Sequence, residues 1–143
     1  MSKQKEYYAR RSGGDESLYE QFNSAEEAWF WFIAAQKARA EGARFTAGQA
    51  LISRPCEPLD ILKVVDQLRR NRMILMDHIM VLRHYGRRMS SPDRRRPKEV
   101  RAAHLWNEAM DKIEAVLIRK EIVAERPERH SNWFHDVKIY ERA

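Results

Sequence analysis

Twelve of the chain's 27 Lys and Arg residues lie between positions 61 and 101: Lys63, Arg69, Arg70, Arg72, Arg83, Arg87, Arg88, Arg94, Arg95, Arg96, Lys98 and Arg101. Four acids share that stretch (Asp66, Asp77, Asp93 and Glu99), so it carries a net charge of +8 while the rest of the chain sums to −2. The overall +6 is therefore the property of one segment. Most of its cations are arginines, whose planar fork matches a phosphate or a guanine edge better than a lysine ammonium does. The densest part, Arg87-Arg88 and Arg94-Arg95-Arg96, ends at Pro97, a residue suited to the first turn of a helix. A helix start adds free backbone amides and a partial positive charge, and that is where a nucleic-acid phosphate is best received. A charge run is also what an ordinary solvated face looks like, with arginines paired to acids such as Asp66 and Asp77.

Other chemistry finds less support. The five histidines, His78, His84, His104, His130 and His135, include no pair at the i, i+4 spacing of a helical metal clamp. They read as packing or surface residues. The single cysteine, Cys56, excludes an intramolecular disulfide and a cysteine-based zinc site. It reads as a small core residue more readily than as a nucleophile. No phosphate-binding glycine loop, histidine–glutamate metal motif or nucleophile elbow is present, so no enzyme activity and no cofactor are expected.

The elements that must position the basic segment follow from hydrophobic spacing. A length of 143 residues predicts one domain, and 43% hydrophobic residues suffice for a core. Residues 1–23 mix charges with Gly13-Gly14 and read as a mobile leader. Ser24-Ala25-Glu26-Glu27 forms a capping box, with Ser24 accepting from the Glu27 amide and Glu27 reaching back to that of Ser24. The helix it opens carries Trp29, Phe30, Trp31 and Phe32 and stops at Gly42. Trp29, Phe32, Ile33 and Gln36 share one face, which leaves Phe30 and Trp31 for other packing or for a protein partner or homodimer.

Residues 42–57 read as a structured loop. Pro58 opens a second helix with Leu59, Ile61, Leu62, Val64, Val65 and Leu68; Asn71 caps a third with Ile74, Leu75, His78, Ile79, Val81, Leu82 and Tyr85, stopping at Gly86. Residues 87–97 read as a linker by composition. From Pro97 to about Glu121 runs the longest helix, with Val100, Ala103, Trp106, Met110, Ile113, Val116 and Leu117 at three-or-four spacing. Beyond Pro127, Trp133, His135, Val137 and Ile139 alternate as in an extended arm.

In this order of elements, residues 60–121 resemble the helix-turn-helix end of sigma factors and of related phage antiterminators. The residues that carry the likeness are Asp66-Gln67-Leu68, then Met76 through Gly86, then Ala102 through Ile113. The resemblance implies a recognition helix with Lys98, Glu99, Arg101 and Ala102 at its base-facing end, and Arg87, Arg88 and Arg94 to Arg96 on the phosphate backbone. The chain departs from that family after Gly86, where a small-residue scaffold helix is replaced by the arginine-rich stretch.

The expectation is an all-α compact bundle of about four helices with a basic central loop: a leader at 1–23, a helical domain at 24–126 and an arm at 127–143. No apolar run is long enough to span a membrane and the N-terminus lacks the apolar centre of a signal peptide, so a cytoplasmic protein is expected. The functional expectation is a nucleic-acid-binding regulator, of DNA rather than RNA, acting through Arg87, Arg88, Arg94, Arg95, Arg96, Lys98 and Arg101. The alternative is an adaptor for an acidic protein surface, such as that of RNA polymerase, with Phe30 and Trp31 as anchors.

Overall fold

Helices form where the apolar spacing placed them, and in the computed structural model, which describes residues 19–42 and 53–125, they are all α. α1 spans Ala25–Ala40, α2 Pro58–Arg70, α3 Met76–Arg87 and α4 Val100–Arg119, with a 3₁₀ turn at Pro97–Glu99 leading into α4. These four helices are the compact all-α bundle expected from the sequence. The segment after Pro127 and most of the loop between α1 and α2 lie outside the described residues.

α1 is the central helix. No residue from Ala25 to Gln36 is exposed, and α1 packs against each of the other three helices. This explains four consecutive aromatics: every side of these turns faces protein, as in a helix that is hydrophobic all round. Trp29 and Phe32 lie in the core with Ala25, Ala28 and Ala35, while Phe30 and Trp31 are half-buried at its flanks.

Burying the start of α1 requires partners for its free amides. Ser24 Oγ accepts from the Glu27 amide at 3.1 Å, as expected. The return bond differs: Glu27 accepts from the amide of Asn23, at 3.3 Å, rather than from that of Ser24. Two bonds from α4 complete the tie, since Glu114 accepts from the Ala25 amide at 3.1 Å and Trp106 Nε1 donates to Glu26 at 3.0 Å.

The fold begins before Ser24. Phe22 is fully buried and pairs in parallel with the chain after α4, its amide donating to the Ile122 carbonyl at 3.0 Å and its carbonyl accepting from the Ala124 amide at 2.9 Å. Residues 19–23 thus belong to the folded unit rather than to the leader. The Arg54 guanidinium covers the Phe22 ring at 4.4 Å and also pairs with Glu27 at 3.4 Å.

Each helix is followed by a residue in the left-handed region, and only one is glycine. Gly42 has φ 74°, Arg72 60°, Met89 52° and Glu121 61°. After α2, α3 and α4 the next amide reaches back five residues: Met73 to the Leu68 carbonyl at 2.9 Å, Ser90 to Tyr85 at 3.2 Å and Ile122 to Leu117 at 2.8 Å. The reversals drop Ile74 and Ile122 straight into the core.

Two expected caps are therefore reassigned. Asn71 ends α2 rather than starting α3, whose N-cap is Leu75. Gly86 does not stop α3; it lies within the last turn, where a Cβ would sit 2.9 Å from Trp29 Nε1 and 3.1 Å from Ile33 Cγ1. The missing side chain lets the Trp29 indole donate to the Leu82 carbonyl at 3.0 Å.

Gly86→Ala is expected to destabilise the protein by about 1–3 kcal/mol, as overpacking of a filled contact does, with a lower urea midpoint at unchanged slope. A wild-type midpoint would show that the α1–α3 approach can relax. Met89→Gly removes left-handed strain at an exposed site and is expected to raise stability by about 0.5–1 kcal/mol in the same titration.

Candidate nucleic-acid interface

The arginine-rich stretch between α3 and α4 is an ordered connection, not the linker its composition suggests. After the reversal at Met89, the Asp93 carboxylate accepts from the Arg95 amide at 2.9 Å and the Asp93 carbonyl from the Arg96 amide at 3.0 Å. The Arg95 amide, assisted by the Arg95 and Arg96 guanidiniums, holds the Asp93 carboxyl below its usual range. Glu99 closes the turn onto α3, beside the buried Tyr85 and 3.6 Å from Arg96. Burial, and then the Glu99 carboxylate, raise the Tyr85 phenol above its ordinary pKa.

Ion pairing divides the seven expected contact residues. Arg95 lies 3.3 Å from Asp93, Arg96 lies within 4.0 Å of Asp93 as well as near Glu99, and Arg101 reaches Asp77 on α3 at 3.1 Å. Arg87, Arg88, Arg94 and Lys98 are exposed and form no ion pair among the described residues. Arg88 lies over the Tyr85 ring, 5.6 Å from its centroid. The four free cations come from the end of α3, the loop and the turn before α4, so one edge of the bundle carries them all.

Beside them an open groove of about 560 Å³ runs along the start of α4, lined by Arg94, Pro97, Val100, Arg101, His104 and Asn107. Its polar side chains offer guanidinium, imidazole and amide donors. His104 and Asn107 were not singled out from the sequence. Their signal was there, since positions 101, 104 and 107 follow the three-residue spacing of one helix face. Of the four positions the resemblance turns toward bases, Lys98 and Arg101 are exposed; Glu99 is engaged by Arg96, and Ala102 packs against the core.

A polar link fixes α3 against α4 beneath this edge. His78 is buried, and its Nδ1 accepts from the Leu75 amide at 3.0 Å, the return half of a capping box whose other half a leucine side chain cannot make. Accepting that amide leaves Nδ1 without a proton and puts it on Nε2, which donates to Glu108 at 2.9 Å. His104 Nε2 lies 2.8 Å from the other Glu108 oxygen. The His78 hydrogen bond first, then the neighbouring His104 and Lys112, lower the Glu108 pKa. Histidine spacing alone does not reveal this bridge, whose half visible in the sequence is the i, i+4 pair His104–Glu108.

The remaining candidates settle elsewhere. Phe30 packs on Trp106 at 5.6 Å and Trp31 on Phe22 at 5.1 Å, so the two aromatics expected to anchor a partner rest on core rings. Cys56 is buried, and burial together with Asp60 and Glu57 pushes its thiol up to about 12, leaving no thiolate for nucleophilic attack. Among the described residues no group of three His, Cys, Asp or Glu side chains is placed to hold a metal ion, and no helix is long and apolar enough to cross a membrane. Compared with known families, curated proteins and solved structures, the chain matches none of them.

A carboxylate with a lowered folded-state pKa stabilises above its unfolded pKa of roughly 4.3 and loses that contribution as pH falls through the lower folded value. Glu108→Gln is therefore expected to flatten the fall in melting temperature below about pH 4.3. An unchanged acid limb would show that the His78 bond does not hold the carboxylate in its charged form.

Proposed function

We propose that the protein binds nucleic acid, double-stranded DNA in its simplest form and in a regulatory setting, through the edge built by the end of α3, the arginine loop and the start of α4. The observation that carries the reading is that Arg87, Arg88, Arg94 and Lys98 are exposed cations gathered on one edge with no ion-pair partner among the described residues. Phosphate contacts from such groups give affinity and orientation without sequence information. In the adjoining groove Asn107 is the α4 side chain with an amide able to donate to a base edge, while Arg101 and His104 are already engaged by Asp77 and Glu108. Arg95 and Arg96 act mainly on the loop itself, because Asp93 and Glu99 already hold them.

Fluorescence anisotropy of the full chain with a random-sequence duplex, repeated across salt concentrations, tests the reading. Four phosphate contacts give an expected log–log slope of about −3.6. Arg88→Glu with Arg94→Glu is expected to abolish binding while the melting temperature holds, since both side chains are exposed. Reversing Arg95 is expected to cost less than reversing Arg94. Absence of binding at low salt, or affinity indifferent to Arg88 and Arg94, would remove the proposal.

A further inference from the structure

Four of the large apolar side chains exposed on the protein fall within eight residues at the corner between α2 and α3: Met73 (50% exposed), Leu75 (60%), Met76 (48%) and Met80 (62%). Met76 and Met80 are one turn apart on α3, and Arg83 and Arg87 continue the same stripe at i+7 and i+11. The core face of α3, with His78, Leu82, Tyr85 and Gly86, lies opposite. The stripe is thus directed away from the bundle by the packing that buries the other side.

Met73 also lines the groove between α2 and the end of α4, but for Leu75, Met76 and Met80 no contact in the fold calls for an apolar residue. Leu75 is the N-cap of α3, a position where Ser, Thr, Asp or Asn would satisfy a free amide. The chain instead carries an exposed leucine that makes no such bond, its own amide being taken by His78 Nδ1. Methionines grouped on a surface make an adaptable apolar contact, and contiguous exposed apolar side chains mark an interaction site.

The charge around the patch selects the occupant. Between Arg69 and Arg88 stand six arginines and one acid, Asp77, which Arg101 already holds. Arg70 pairs with Asp66 at 3.0 Å; Arg69, Arg72 and Arg83 form no ion pair among the described residues. A second copy of this face would set arginine against arginine. A phosphate backbone gains nothing from the thioethers and leucine at the centre. An apolar stripe flanked by carboxylates complements both parts of the patch.

We propose that the Met73–Met80 corner docks an acidic amphipathic helix of a partner protein, with Met73, Leu75, Met76 and Met80 against its apolar stripe and Arg69, Arg72 and Arg83 against its carboxylates. This surface adjoins the edge assigned to nucleic acid, since Arg87 continues the stripe into it, but it does not rest on that assignment.

The methionines report on it directly. The full chain with ¹³C-methyl methionine is titrated with a synthetic 18-residue helical peptide that carries Leu on one face and Glu on its flanks. The expected result is saturable shifts at the Met73, Met76 and Met80 methyls with the buried Met110 unmoved. Affinity is expected to fall at least tenfold in Met76→Gln with Met80→Gln, and at least tenfold when Lys replaces Glu in the peptide. Silence at the three methyls, an equal response to the Lys peptide, or an equal response to a peptide of scrambled order would each overturn the proposal. Shifts that depend on protein concentration without peptide would overturn it in favour of a second copy. Duplex binding by the double variant is expected to equal wild type, and its loss would assign the corner to nucleic acid instead.

Discussion

The Trp29 indole reaches the Leu82 carbonyl at 3.0 Å because residue 86, one turn further along α3, has no Cβ to stand in its way. That contact brings α1 against α3 and, together with the packing of α3 on α4, sets the rotation of α3 about its own axis. With Leu82 and Tyr85 turned inward, Met76, Met80, Arg83 and Arg87 must face out. Both surfaces argued to bind something, the corner before α3 and the edge after it, inherit their direction from this packing. Burial of an indole is favourable only if its N–H finds an acceptor, so the bond and the burial stand or fall together.

The same economy runs through the rest of the core. α1 is enclosed over three turns, and the groups at its start are met by side chains from far along the chain, Glu114 for the Ala25 amide and Trp106 for the Glu26 carboxylate. α3 begins at a leucine that cannot cap, yet the buried imidazole of His78 accepts from the Leu75 amide and donates its Nε2–H to Glu108. None of the described buried side-chain nitrogen or oxygen atoms lacks a partner. The arginines that meet no acid among the described residues and the exposed methionines stand outside this network, and no contact within it accounts for them.

Much of this was legible. The four helices, Pro58 at the first position of α2, the Ser24 hydroxyl cap and the inward Trp106, Met110, Ile113 and Leu117 follow from spacing and capping chemistry, which act over three or four residues. Less legible was which of several similar apolar residues would be buried. Leu59 and Leu62 share a helix with Ile61, Val64, Val65 and Leu68, yet only the latter four are covered. The difference is one of rotation about the helix axis, which is set by the neighbouring helices. The glycine at 86 shows the same limit: a glycine at a helix end reads as a stop, and only the indole beside it reveals that it is a gap.

What the sequence by itself determined is local. It placed the helices and confined the positive charge to residues 61–101, because periodicity and composition need no knowledge of distant neighbours. The tertiary structure decided which charges remain available. Arg101 meets Asp77 from 24 residues away, and Arg96 shares Asp93 and Glu99, while Arg87, Arg88, Arg94 and Lys98 meet no acid among the described residues. It also brought Phe22 onto the chain after α4 and set Phe30 and Trp31 on core rings. Each of these pairings joins residues that spacing rules cannot relate, since the free energy of a contact depends on separation in space and the sequence gives only separation along the chain.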